Sequence, residues 1–147
     1  MNGDVKILDM IEELLEKPYW VIDLLPYQVP EERAGQYFVI EEYFLKDPQN
    51  KRLRQCFVEI LLKLNCYCDF LVYQNDGEVI ENPSPEQLEE MVLQNADIMD
   101  IILEEAMIVI RYDDTYMTVY DPDEKLLETL KPLVTANGLF LWKPNQE

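Results

Sequence analysis

Residues 106–120 read AMIVIRYDDTYMTVY, two strand-like runs hinged on the polar pair Asp113-Asp114. Folded back on that turn, Tyr112 faces Thr115, Ile110 faces Met117 and Ile108 faces Val119, so one face of the hairpin is almost wholly apolar and must be covered. The opposite face sets Arg111 beside Tyr116, Val109 beside Thr118 and Met107 beside Tyr120, a mixed surface suited to solvent, to a covering helix or to contact with another molecule. The stretch predicts an antiparallel sheet centred on this hairpin. It contains no recognisable reaction centre.

The flanking sequence supplies helices to cover that sheet. Asp4 is placed to cap a helix that puts Ile7, Leu8, Ile11, Leu14 and Leu15 on one side. Prolines 18, 26 and 30 bracket YWVIDLL, which as a strand sets Trp20, Ile22 and Leu24 opposite Asp23 and, with proline at both ends, predicts an edge strand or an irregular extended segment, with a short helical turn as the alternative. A helix is expected from Pro30-Glu31 despite Gly35, with a strand at Tyr37–Ile40 as the alternative. Another follows Pro48, with Leu53, Cys56, Phe57, Ile60, Leu61 and Leu64 on its inner stripe and Lys51, Arg52, Arg54, Glu59 and Lys63 off it.

Cys66, Cys68, Phe70 and Val72 alternate with polar and aromatic residues, which predicts a strand leading into a two-residue turn at Asp76-Gly77. Ser84-Pro85-Glu86-Gln87 has each part of a capped helix start, with Leu88, Met91 and Val92 facing inward. The second half of Ile98–Leu103 is expected as a strand entering the central hairpin through Glu104-Glu105. Asp121-Pro122-Asp123-Glu124 opens a last helix with Leu126, Leu127, Leu130 and Val134 inside; Pro132 should kink or shorten it, Asn137-Gly138 suits its end, and LFLW forms a final strand. The expectation is one α+β domain over residues 1–147, an antiparallel sheet with about five helices packed on it.

A chain of 147 residues with 48% apolar side chains can bury a core despite a formal charge of −18. Charge is distributed unevenly: residues 76–124 hold fifteen acids against one base, Arg111, while 46–75 carry a small positive excess. A field of that sign repels nucleic acid and anionic lipid and favours encounter with a basic protein or a cation, or it serves solubility alone. No stretch approaches the roughly 20 apolar residues of a membrane span, and the N-terminus lacks the pattern of a secretory signal. Three cysteines without such a signal suggest free thiols in the cytoplasm.

Histidine is absent, which removes the commonest general base, the usual nucleophile pairs and the commonest zinc ligand. Cys66 and Cys68 are read as core cysteines rather than a metal or redox pair, because no second pair accompanies them. Asp113 and Asp114, with Tyr112, Tyr116 and Tyr120 nearby, offer a carboxylate site for a cation or for acid chemistry, but a turn accounts for the same residues. No Gly-rich phosphate loop or calcium loop is present. No cofactor and no metal site is expected.

The segments KPYWVIDLLPYQVP, DDTYMTVYDP and ANGLFLWKP together resemble a family of small acidic bacterial proteins without an assigned activity. The resemblance covers about a quarter of the chain, implies a bacterial cytoplasmic origin and transfers no functional residue. The function expected from charge and size is a non-catalytic module, monomeric or weakly dimeric, that engages a basic protein partner in the manner of small immunity or antitoxin-type proteins. Its contact residues would be Glu86, Glu89, Glu90, Asp97, Asp100, Glu104 and Glu105, provided the fold sets them on one side. The alternative is a small enzyme or ligand-binding domain that uses carboxylates and tyrosines in a cleft.

Overall fold

A computed structural model describes residues 2–74, 77–94 and 98–144, with side chains from residue 6 onward. Five α-helices accompany one antiparallel sheet: α1 (Asn2–Leu15), α2 (Ala34–Phe44), α3 (Gln49–Leu64), α4 (Pro85–Leu93) and α5 (Glu124–Ala136). The strands are β1 (Tyr19–Asp23), β2 (Leu71–Gln74), β3 (Val79–Glu81), β4 (Ile98–Leu103), β5 (Ala106–Arg111), β6 (Met117–Tyr120) and β7 (Phe140–Trp142). Their order across the sheet is β3-β2-β4-β5-β6-β1-β7, and each neighbouring pair is antiparallel. This is a single-domain α+β fold.

The central hairpin has the expected register, with Ile108 opposite Val119 and Ile110 opposite Met117. The ladder stops there. Residues 112–116 form a loop rather than continuing the pairing of Arg111 with Tyr116 and Tyr112 with Thr115 about a two-residue turn.

Two side-chain layers follow from the period of two. On the first face Ile22, Val72, Met99, Ile101, Ile108, Ile110, Met117 and Val119 are buried beneath α3, α4 and α5, which contribute Phe57, Leu61, Leu88, Val92, Leu130 and Val134. On the second face a smaller cluster joins Ile11 and Leu14 of α1 to Ile102, Met107 and Val109. Helix α1 covers one part of this second face, and a cleft opens over another.

The capping signals of α4 and α5 are realised. Ser84 Oγ accepts from the Gln87 N–H at 3.1 Å while Gln87 Oε1 accepts from the Ser84 N–H at 2.9 Å. Asp123 caps α5 through the Leu126 N–H at 2.8 Å. Gly138, at φ 75°, turns the chain out of α5, with Leu139 N–H bonded back to the Val134 carbonyl.

Several sequence expectations are corrected. Strand β1 lies between β6 and β7 and is not an edge, because its prolines flank the ladder and never occupy it. Asp4 sits inside the first turns of α1 rather than capping it, and Leu8 and Leu15 are exposed. Helix α5 runs through Pro132 to Ala136 without being shortened. Strand β4 occupies all of Ile98–Leu103, because each of its residues pairs with β5. The β2–β3 register, Tyr73 with Val79, places three residues between Gln74 and Glu78, with Gly77 at φ 85°; Asp76 of the expected two-residue turn lies outside the described residues.

The Cys66-Cys68 strand does not form. Helix α3 unwinds into turns instead, and Asn65 Nδ2 donates to the Cys68 carbonyl at 3.0 Å and to Asn82 Oδ1 at 3.1 Å. Asn82 Oδ1 also accepts the Phe70 N–H at 2.8 Å, so a side-chain clasp holds the residues that a ladder was expected to hold. Cys66 is exposed as a result, whereas burial pushes the Cys56 and Cys68 thiols above the usual range. A thiol reagent added in excess to native protein should label Cys66 rapidly and the other two slowly. Peptide mapping checks the order, and equal labelling of all three would contradict it.

Candidate functional site

A cleft of about 530 Å³ opens on the second face of the sheet. Strand periodicity builds its floor: Tyr19, Val21 and Asp23 on β1, Thr118 and Tyr120 on β6, and Trp142 on β7 all point away from the main core. The loop after β1 contributes Tyr27, α2 contributes Tyr37, and the loop between β5 and β6 contributes Asp114 and Tyr116. Five tyrosines and a tryptophan thus surround an acidic interior, since Asp23, Glu31 and Asp114 outnumber Arg111 among the lining residues.

Asp23 is the deepest charged group in the cleft, 7% exposed, and makes no ion pair among the described residues. Burial raises its pKa to about 6, against the opposing pull of the Leu24 and Leu25 backbone N–H groups and the Trp142 indole, with nearby Glu41 adding to the rise. The Leu24 N–H bond to Asp23 Oδ1 measures 2.7 Å. Trp142 Nε1 is buried beside this carboxyl without a hydrogen bond of regular geometry among the described residues, so its contribution is a weak dipolar one.

Tyr116 and Tyr37 are held neutral. Burial, then the charges of Asp114, Glu41 and Asp23, pushes Tyr116 up to about 12; burial and Glu41 also raise Tyr37, and its hydroxyl donates to Glu41 Oε2 at 3.1 Å. Tyr19 and Tyr120 stack tilted at 5.6 Å between centroids. Burial and Asp113 raise the pKa of Asp114, with Arg111 and Arg54 opposing. The arrangement is a set of aromatic faces and acceptors around a carboxyl short of a cation.

The sequence-predicted acids are placed differently. Glu86, Glu89 and Glu90 are exposed on α4, and Glu104 and Glu105 form the tight turn from β4 to β5, where Glu104 has φ 52°. Asp100 does not join them. It lies in mid-strand on the second face, 8% exposed, because the alternation that sends Met99 and Ile101 into the main core sends it the other way. Asp97 lies outside the described residues.

No known protein family, curated protein or solved structure matches this chain. Its site is therefore read from geometry. Segments 17–30, 113–122 and 136–144, singled out in the sequence, supply most of the cleft lining. Glu31, Ala34, Tyr37 and Arg111 complete it from outside those segments. Among the described residues no three cysteine, aspartate or glutamate side chains converge to hold a metal ion, and no helix is long and apolar enough to cross a membrane.

A second hollow, about 310 Å³, lies between the ends of α3 and β4 and the start of α5. Asp123 on its rim is already engaged as the α5 cap.

The two buried carboxyls set a pH dependence of stability. Asp100 is raised to about 6 by burial, with Arg111 opposing, and Asp23 is raised to the same value. Each binds its proton more tightly in the folded state than unfolded, so the stability it contributes is full below its ordinary pKa and is lost as pH rises through about 6. Asp100→Asn should therefore stabilise the domain by about 1–2 kcal/mol near pH 7.5 and by about half as much near pH 5. Thermal midpoints of both proteins at the two pH values check this; a destabilised variant near pH 7.5 would contradict it.

Proposed function

We propose that the domain is a non-catalytic binding module and that its site is the acidic aromatic cleft, which receives an ammonium or guanidinium group. The observation that carries this reading is Asp23, a buried carboxyl without an ion pair among the described residues, at the base of a cleft lined with tyrosine and tryptophan. A cation entering there restores the charge state that burial disfavours at Asp23 and meets aromatic faces that attract it, worth about 0.5–2 kcal/mol per well-placed ring. The expected basic protein partner fits the same chemistry, with a lysine or arginine side chain as the group inserted. The site would then be this cleft, at residues distinct from the seven acids read from the sequence.

Butylammonium and agmatine, titrated against butanol and butyrate, test the cleft. The two cations should perturb the amide and indole resonances of Asp23, Tyr116 and Trp142, while the neutral and anionic analogues do not. Asp23→Asn should abolish the preference, and the wild-type affinity should fall as pH drops through about 6, where Asp23 takes up its proton. Equal binding of butyrate, or cation binding that Asp23→Asn leaves unchanged, would refute the assignment.

A further inference from the structure

Helix α2 is apolar along much of its length, and none of its residues is buried. Tyr37, Glu41 and Phe44, at steps of four and three, turn toward the domain and are half-buried. The outer side carries Val39 at 59% exposure, Ile40 at 41% and Tyr43 at 52%, with Phe38 at 60% on the flank. Scattered surface hydrophobes need no explanation, but Val39, Ile40 and Tyr43, at steps of three and four with Phe38 beside them, form a patch of the kind that marks contact sites.

The surroundings of the patch restrict what can cover it. Glu31 and Glu32 precede the helix and Glu41 and Glu42 lie within it; of the cations near it, Arg33 sits at its start, Lys46 is paired with Glu42 at 3.9 Å and Arg52 of α3 lines a hollow with Tyr43. The patch reaches the cleft along one flank, because Phe38 lies one turn from Ala34 of the cleft lining and Tyr27, 70% exposed, stands at the mouth. A second copy of this chain would bring another charge of −18 against the same acidic rim, and an anionic membrane would be repelled in the same way. Charge complementarity leaves a cationic occupant with an apolar face.

We propose that α2 and the mouth of the cleft form one docking surface for a basic amphipathic segment of a protein partner, whose apolar side chains cover Phe38, Val39, Ile40 and Tyr43 while a lysine or arginine enters the cleft toward Asp23. This deepens the cation-binding reading and rests on it for the inserted side chain. The apolar contact supplies the central burial, and the glutamates around it act at the rim, where charge sets the rate and direction of approach.

The probe is a synthetic amphipathic peptide of leucine and lysine at helical spacing, titrated calorimetrically against the whole domain beside a scrambled peptide of the same composition. The patterned peptide should bind at least about tenfold more tightly than its scramble, and Val39→Ser/Ile40→Ser should remove that advantage. Both residues are exposed, so the thermal midpoint of the double variant should hardly move, and its binding of butylammonium should be unchanged. That last readout separates the two ideas: butylammonium bound normally with no advantage for the patterned peptide overturns the docking surface while leaving the cleft intact. Equal affinity of the patterned and scrambled peptides overturns it as charge attraction only. A wild-type dimer in sedimentation that Val39→Ser/Ile40→Ser converts to monomer also overturns it, because a second copy would then be the occupant.

Discussion

Met117→Asp is expected to leave little folded protein at room temperature. Met117 is fully buried in the middle of the sheet, opposite Ile110 on β5 and Ile22 on β1, and belongs to the main core. An aspartate there must either carry its charge among apolar neighbours or bind a proton at a steep cost near neutral pH, and it also surrenders the methionine's own burial. The sum is on the order of 4 kcal/mol or more, against a typical domain stability of about 5–15 kcal/mol. Met117→Leu, of similar volume, should cost less than about 1.5 kcal/mol. Circular dichroism with urea titration distinguishes the two. An aspartate variant as stable as the leucine variant would show that this face of the hairpin is not core.

That register was legible because period two and a polar turn act locally, and the capping box at Ser84 was legible for the same reason. What escaped the sequence depends on partners far away in the chain. Nothing near Pro18 and Pro26 tells that β1 will be flanked by β6 on one side and β7 on the other, more than a hundred residues later in the chain for β7. The alternation of Cys66 with Cys68 is a strand signal by pattern, yet Asn65 and Asn82 close a clasp across it. Asp100 looked like one more surface acid because fourteen others surround it in residues 76–124, while its strand parity assigned it to the covered side.

The cleft combines both cases. Its β6 wall was visible as the mixed face of the central hairpin, with Thr118 and Tyr120 opposite the apolar set. Asp23 was visible as the polar residue opposed to Trp20 and Ile22. Their convergence with Trp142 and Tyr37 needs the strand order, which composition and spacing do not carry.

Arg54 gives the second large effect. Read as an outer residue of α3, it is instead 3% exposed, because the stripe facing the sheet is wide enough to include Arg54 and Val58. Its guanidinium donates to the Val92 carbonyl at 3.1 Å and to the Arg111 carbonyl at 2.9 Å. One bond closes the last turn of α4, where a cation also meets the negative end of the helix, and the other fixes the end of β5. Burial lowers its pKa while Asp114 and Asp113 oppose that shift, and an arginine remains charged through it. Arg54→Met preserves much of the stem packing but leaves two inward-facing carbonyls without their donor, a loss of about 3 kcal/mol. Arg54→Lys should recover part of it, since one ammonium cannot reproduce the forked geometry. Arg52→Met, at an exposed position on the same helix, should stay within about 0.5 kcal/mol of wild type. The loss should also reach the cleft: Arg111 leads directly into the 112–116 loop, so amide exchange at Asp114 and Tyr116 should quicken in Arg54→Met more than exchange in α5 does. If urea midpoints of Arg54→Met and Arg52→Met coincide, the buried bridge does not hold these elements together. If exchange quickens uniformly instead, Arg54 stabilises the domain as a whole and has no particular hold on the loop that carries Asp114 and Tyr116 to the site.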